Sequence, residues 1–384
     1  ASAAARAPAP AAPAVAAPAA EMGLRDAVAA RRGPYTCWRA TRPTCRISGG
    51  VTFSNPYGTK AQKYAIINKI ISSIRRTPNR GKIQIMSWNI LSSNGYDALI
   101  DAARRGVRVR VIMDASNQSR DVPNPGFTRM VRAFKVSNKK WPATRRSFAR
   151  KCRGSCRSNG GAAHAKYYMF SQVGASKNVV IQGSANLTNA AARNQWNDIY
   201  TYVNKPGLYG FVYTIFKQMW RDERVQPTWA SYVQPTYELH FSPRYGGVVD
   251  PLTYQLKNVV CKGANAGNAN GRTIIRTAPD VLRGRWGLEV AQEVRRLWDA
   301  GCDVRVAYTI IGIDVKRLLQ RRTGRGPVPL KHFVADRNGD KVFDEYFHLK
   351  AWTINGRSKA DGQDNKDFYW TMNGSSNISD LSRI

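Results

Sequence analysis

His164-Ala165-Lys166 and His348-Leu349-Lys350 are two copies of one pattern, and each precedes a Gly-Ser-x-Asn turn, Gly183-Ser184-Ala185-Asn186 and Gly374-Ser375-Ser376-Asn377. The 384 residues include only four histidines, yet two of them stand in matching surroundings 184 positions apart. Further landmarks share the shift. Phe53-Ser54-Asn55-Pro56-Tyr57-Gly58 returns as Phe241-Ser242-Pro243-Arg244-Tyr245-Gly246, and Gly106–Val111 returns as Gly301–Val306. Landmarks that keep their order at a near-constant offset mark an internal duplication.

Within each half, helical and extended patterns alternate. Residues 60–76 behind Thr59 carry apolar positions at helical spacing, Lys82–Trp88 reads as a strand, Tyr96–Arg105 as a helix stopped by Gly106, and Val107–Asp114 as a strand. Arg272–Thr277, Gly287–Asp299 and Asp303–Ile311 repeat the series. The predicted fold class is therefore α/β: two pseudo-twofold-related halves, each a mixed sheet flanked by helices. The expected division is an Ala/Pro-rich export remnant or linker at 1–22, an N-terminal half at 23–235 and a C-terminal half at 236–384. The first half closes with a helix, Gly207–Arg221, whose Tyr209, Phe211, Tyr213, Phe216 and Trp220 read as core packing. Its counterpart would fall beyond Asn377, so the second half reads as truncated, with a different closure as the alternative.

Sixty Lys and Arg against 25 Asp and Glu give a net charge of +35. A field of that sign attracts polyanions, either nucleic acid or an anionic phospholipid surface. No stretch of 18 consecutive apolar residues is present, which excludes a spanning helix of ordinary composition. The six cysteines fall in neighbouring pairs, Cys37/Cys45, Cys152/Cys156 and Cys261/Cys302. Pairing beside an export-like N-terminus points to disulfides and a secreted, extracellular protein.

On a strand, residues i and i+2 point the same way, so each His-x-Lys presents a base and a cation on one face. Facing halves would gather His164, Lys166, Asn186, His348, Lys350 and Asn377 around one cavity, with Ser184 and Ser375 in support. That set suits a phosphodiester. One neutral imidazole attacks phosphorus to give a covalent phosphohistidine, while the other protonates the leaving oxygen and later activates water. The lysines and asparagines stabilise charge on the nonbridging oxygens, and no cofactor is required.

The doubled motif from Val51 to Ile384 resembles the phospholipase D superfamily, secreted bacterial members included. That family carries H-x-K-x4-D followed by G-S-type turns in two halves, and the resemblance implies its fold, its phosphohistidine chemistry and, by family habit, His164 as the nucleophile. The family's aspartates would fall at Ser171 and Asn355, and the turn asparagines lie 22 and 29 residues beyond their histidines. Both traits look like the His-Lys-Asn variant of tyrosyl-DNA phosphodiesterases. Asp198 lies where the family often carries an acidic partner to a catalytic histidine, with a loop cap as the alternative role.

Basic loops precede each motif and are expected to hold further phosphates through Arg145, Arg146, Arg150, Arg153, Arg157, Arg321 and Arg322. Asp336, Asn338, Asp340 and Asp344 partly match a calcium loop, although Lys341 replaces its glycine and Phe347 its last glutamate. A polar turn is the better reading of that loop, with structural calcium as the alternative. Three functions follow in order: a secreted phosphodiesterase of nucleic acid, a phospholipase D acting on phospholipid head groups, and a non-enzymatic polyanion binder. A monomer with an internal pseudo-dimer is expected throughout.

Overall fold

The computed structural model describes Trp38, Arg39 and residues 42–244 and 248–382. The segment 1–22, Cys37 and the Tyr245-Gly246 end of the repeat lie outside them.

In the first half, the strands are β1 (Gly50–Phe53), β2 (Lys82–Ser87), β3 (Arg108–Asp114), β4 (Phe148–Cys152), β5 (Lys166–Val173), β6 (Ser176–Gly183) and β7 (Asp198–Tyr202). Helices α1 (Ala65–Arg75), α2 (Ser93–Arg104), α3 (Pro125–Asn138) and α4 (Pro206–Arg221) accompany them. The expected helix at 60–76 is broken at Tyr64, with the capping box of Thr59 and Gln62 opening a separate turn before α1. Sheet order is β1-β7-β6-β5-β2-β3-β4, with β2, β3 and β4 parallel and the rest antiparallel.

Both faces of this sheet are covered. Tyr168 and Phe170 of β5 pack into the cluster under α1, α2 and α3, while Tyr167 and Met169 pack under α4. Such double cover explains the unbroken apolar run along β5. A hairpin, β8 (Ala230–Gln234) and β9 (Tyr237–Phe241), packs on the same cluster as α4. It spans residue 235, where the sequence reading divides the halves.

The second half contains α5 (Pro251–Asn258), β10 (Val259–Val260), β11 (Ile274–Pro279), α6 (Gly284–Asp299), β12 (Asp303–Tyr308), α7 (Ile313–Leu319), β13 (Leu330–His332), β14 (Glu345–Phe347), β15 (Lys350–Ser358) and β16 (Asn365–Met372). Its sheet runs β10-β15-β11-β12-β13, and β16 adds to β15. Here Trp352 and Ile354 are buried in one core while the alternate residues Thr353 and Asn355 are only half-buried. The strand therefore alternates where β5 does not.

Cys152–Cys156 and Cys261–Cys302 are bonded, as their spacing suggested. Cys45 is also disulfide-bonded, and its expected partner Cys37 lies outside the described residues. Among the described residues no helix is long and apolar enough to cross a membrane.

Candidate active site

Parallel β2, β3 and β4 end at the sheet edge where antiparallel β5 begins, so Ser87 lies opposite Lys166. The second half repeats the register, with Pro279 opposite Lys350. Each histidine stands just before its strand instead of on it, which departs from the expected extended geometry. The lysine that opens each strand folds back to its own histidine: Lys166 Nζ donates to the His164 carbonyl at 2.6 Å, and Lys350 Nζ to that of His348 at 2.7 Å. Asp114, at the end of β3, accepts from the Ala163 amide at 2.8 Å and fixes the approach to His164.

Contacts between the halves set both imidazoles. Strand β14 pairs with Gln195–Trp196, and the His348 amide donates to the Trp196 carbonyl at 3.0 Å. His348 Nδ1 then lies 2.8 Å from Asn197 Oδ1. That amide cannot turn: its Oδ1 also accepts from Ser184 Oγ at 2.9 Å, and its Nδ2 donates to the Ala191 carbonyl at 3.1 Å. Across the cleft, His164 Nδ1 lies 2.9 Å from the Ser375 carbonyl. Both acceptors demand a proton on Nδ1, so in each neutral ring Nε2 carries the free lone pair. Each histidine is oriented by the opposite half, so neither half-site is complete alone.

Burial, then Lys166 and Lys350, hold the His164 imidazole well below its usual range. Burial, then Lys350 and Lys166, do the same for His348. Lys166 is lowered well below the usual amine range by burial and by Lys350, and Lys350 is lowered by burial against the opposing pull of Asp280. Mutual influence among four groups from two halves is what a shared cleft produces.

The third wall differs. Asp280 Oδ2 accepts from Lys350 Nζ at 3.0 Å and lies 4.0 Å from His348 Nε2. The register-equivalent residue in the first half is Trp88, whose indole lies 5.5 Å from the His164 ring and 5.8 Å from Lys166 Nζ.

Among the other expected residues, Asn186 Oδ1 accepts from the Asn89 amide at 3.3 Å and from Ser87 Oγ at 3.4 Å, which reserves its Nδ2 as a donor. Asn377 Oδ1 is buried without a partner. Ser375 contributes its carbonyl and Ser184 its hydroxyl. Asp198 does not meet a histidine: its Oδ2 accepts from Asn373 at 2.6 Å, and burial raises its carboxyl above the usual range. The partner expected at Asp198 is Asn197, one residue earlier. Ser171 and Asn355 lie five residues along their strands from Lys166 and Lys350, roughly 17 Å away at the usual rise, so neither reaches the cleft.

The basic rim is mixed. Arg146, Arg150, Arg153, Arg321 and Arg322 are exposed and Arg145 is half-buried, but Arg157 is not a rim residue. It is buried, and its guanidinium is spent on Gln218 at 3.0 Å and the Ser242 carbonyl at 3.2 Å. In the acidic loop, Asp336 accepts from the Gly339 and Lys341 amides, Asp340 from Val342, and Asp344 from Arg337. These are the bonds of a polar turn, and among the described residues no group of three or more His, Cys, Asp or Glu is placed to hold a metal ion.

Sequence reasoning missed Asn197, Asp280 and Trp88. Aligning Ser87-Trp88 with Pro279-Asp280 through the duplication would have flagged Trp88 and Asp280 as a substituted pair after matched strands.

Residues 70–220 match the family described as cardiolipin synthase, PLD-like domain. The fold resembles that of polyphosphate kinase from Porphyromonas gingivalis, with TM-score 0.50 and 14% identity over 83% of this chain. The chain spans only 44% of that enzyme's length. Weaker likenesses include phosphatidylserine synthase from Haemophilus influenzae (TM-score 0.46, 12% identity, 80% of this chain and 76% of that one). Nuc, a phospholipase D family member from Salmonella typhimurium, gives TM-score 0.32 and 21% identity over 46% of this chain and 97% of its own. No curated protein matches the chain in sequence.

Proposed function

We propose that this chain, whose residues 70–220 match a PLD-like domain, is a member of the phospholipase D superfamily and a secreted, metal-independent phosphodiesterase acting through a covalent phosphohistidine on nucleic acid. The observation that carries the proposal is the crossed anchoring of the two imidazoles, each with Nδ1 held by the opposite half and Nε2 free.

His164 Nε2 attacks phosphorus, forming the P–N bond as the bond to the leaving oxygen breaks. His348 donates its Nε2 proton to that oxygen. A water then enters, His348 takes its proton, the new P–O bond forms and the P–N bond breaks, restoring both rings. His164 is assigned the attack because, beyond the Ser375 carbonyl on Nδ1, its ring is flanked by Lys166, Lys350 and Trp88 and forms no carboxylate pair among the described residues, which favours the neutral ring. His348 is assigned the proton because Asp280 lies beside Nε2 and the bound diester brings further negative charge. Lys166, Lys350 and the Nδ2 of Asn186 face the nonbridging oxygens, where fixed donors in a dry site stabilise developing charge.

A net charge of +35 supports a polymeric anion as substrate, and the bonded cysteines support an oxidising location. Completion of the cleft within one chain supports a monomer. The test is incubation with single-stranded DNA, plasmid and phosphatidylcholine vesicles in EDTA, with His164→Ala as control. Cleaved DNA and an acid-labile, base-stable phosphoenzyme are expected; choline release with intact DNA would overturn the substrate, and equal turnover by the control would overturn the mechanism.

A further inference from the structure

The cleft does not account for a second concentration of charge on the first half. Arg108, Arg110 and Arg150 point from the outer strands β3 and β4 toward the flank of α4. Tyr213, Lys217 and Trp220 line that flank at helical spacing. The guanidinium of Arg110 lies 5.1 Å from the Trp220 ring and that of Arg150 4.8 Å, while Lys217 Nζ lies 5.5 Å from the Tyr213 ring. Arg108 reaches the Tyr213 hydroxyl at 3.5 Å.

These four cations have no carboxylate partner among the described residues. Some arginines elsewhere do pair with carboxylates, as in Arg276–Asp303, Arg337–Glu345 and Arg357–Asp364. The Nε atoms of Arg108 and Arg110 are moreover buried without any acceptor. Arg150 donates to the Trp220 carbonyl at 2.7 Å, but like charges gathered with the Nε donors of Arg108 and Arg110 unspent are unfavourable unless an anion joins them. Burial and the neighbouring Arg108 and Arg150 also lower the Arg110 guanidinium from its usual range.

The aromatic rings complete the picture. Trp220 and Tyr213 are half-buried beside these cations, and Phe148 on the edge strand is 42% exposed. The expected core role of the α4 stripe holds: Phe216 is buried in the cluster, and Tyr209, Phe211, Tyr213 and Trp220 pack against it, the last two at its margin. We propose that the groove between β4 and the Tyr213-Lys217-Trp220 flank of α4 is a binding site for single-stranded nucleic acid, its phosphates on the arginines and its bases on the rings. The inference rests on the nucleic-acid reading of the cleft for its ligand class and on the groove's own residues for its place. Arg108 is six residues along β3 from Asp114, roughly 20 Å, so the groove leads strand away from the histidines. It would hold a polymer during cleavage where a single head group would leave it unfilled.

The test uses the full chain carrying His164→Ala, so that bound DNA survives, and measures anisotropy of labelled oligothymidylates against salt. Adding Arg108→Gln, Arg110→Gln and Lys217→Gln is expected to lower affinity at least tenfold and to reduce the log–log salt slope by about 2. Trp220→Leu should weaken binding with the slope kept. Because the half-buried arginines affect packing, the exposed single variant Lys217→Glu is measured beside the triple. Unchanged affinity and slope in all variants would overturn the site, as would lost binding to anionic vesicles with oligonucleotide binding intact. Hydrolysis of bis(p-nitrophenyl) phosphate by the unmodified chain reports on the cleft alone, so its absence would count against the proposed function while the groove stands or falls on binding.

Discussion

Two half-sites built from one motif face each other here, and they differ in what stands behind the catalytic pair. In both, a lysine opens a strand and folds back to the carbonyl of its histidine. Behind the first lies the indole of Trp88; behind the second lies the carboxylate of Asp280, salt-bridged to Lys350 at 3.0 Å. The anchors differ too, a backbone carbonyl for His164 and a side-chain amide for His348. Duplication supplies two equal imidazoles, and unequal surroundings divide the labour between them.

The strongest way to break this division is to remove each histidine in turn. His164→Ala is expected to cost a factor of about 10⁴ to 10⁶ in turnover with every substrate and to abolish the phosphoenzyme. His348→Ala should cost about 10² to 10⁴ with an alkoxide leaving group and far less with p-nitrophenolate, which departs without a proton. Matching losses with p-nitrophenolate substrates, or a phosphoenzyme surviving in His164→Ala, would reverse the assignment. The pH profile sharpens the same point. Burial and two cations depress both imidazoles below 6.5, so the neutral nucleophile persists as pH falls through that value. The acid limb of kcat/KM is expected below pH 6.5, and Lys350→Met, which removes one repelling cation, should move it upward.

Substituting the lysines should separate function from stability. Lys166→Met and Lys350→Met are each expected to lower turnover about 10²- to 10³-fold through lost charge stabilisation. Only the second leaves a buried carboxylate, Asp280, without its partner. That difference predicts a stability loss of about 3–5 kcal/mol for Lys350→Met and a smaller one for Lys166→Met, read from urea midpoints. Equal midpoints would show that Asp280 does not distinguish the halves.

Asn197→Ala removes the amide that orients His348 and leaves Ser184 Oγ only its bonds to Asp198, with an expected cost of roughly 5- to 150-fold in turnover at little change in KM. Ser375 offers no such variant, because its contribution is a carbonyl.

The halves, their strand–helix alternation and the pairing of motifs were legible in sequence because period, glycine stops and repeat spacing are local signals. The cross-half contacts were not. Asn197 differs from its neighbour Asp198 only in which face of the chain points at the cleft, and that is decided by the pairing of Gln195–Trp196 with β14, 151 residues away at His348. Asp280 looked like any loop acid after a strand until Lys350 folded toward it. Arg157 read as one more exposed cation in a basic run, while its burial against Gln218 comes from the docking of α4. The alternation of β15, with Trp352 and Ile354 buried and Thr353 and Asn355 half-buried, depends on which elements pack on each face.

The smallest effect is expected where the sequence departs most visibly from the family pattern. Asn355→Asp restores the aspartate seven residues after His348, yet position 355 lies on β15 five residues beyond Lys350 and opposite Ile274, well away from the cleft. Ser171 is likewise occupied, accepting from the Lys82 amide at 2.8 Å where β2 starts. Charges separated from the imidazoles by roughly 17 Å are beyond a Debye length at physiological salt and have little influence on their protonation. Asn355→Asp and Ser171→Asp are therefore expected to change turnover by less than about twofold and stability by no more than about 0.5 kcal/mol for the half-exposed Asn355. A tenfold gain from either would mean that the absent aspartate is felt at the histidines after all, and that Asp280 only partly substitutes for it.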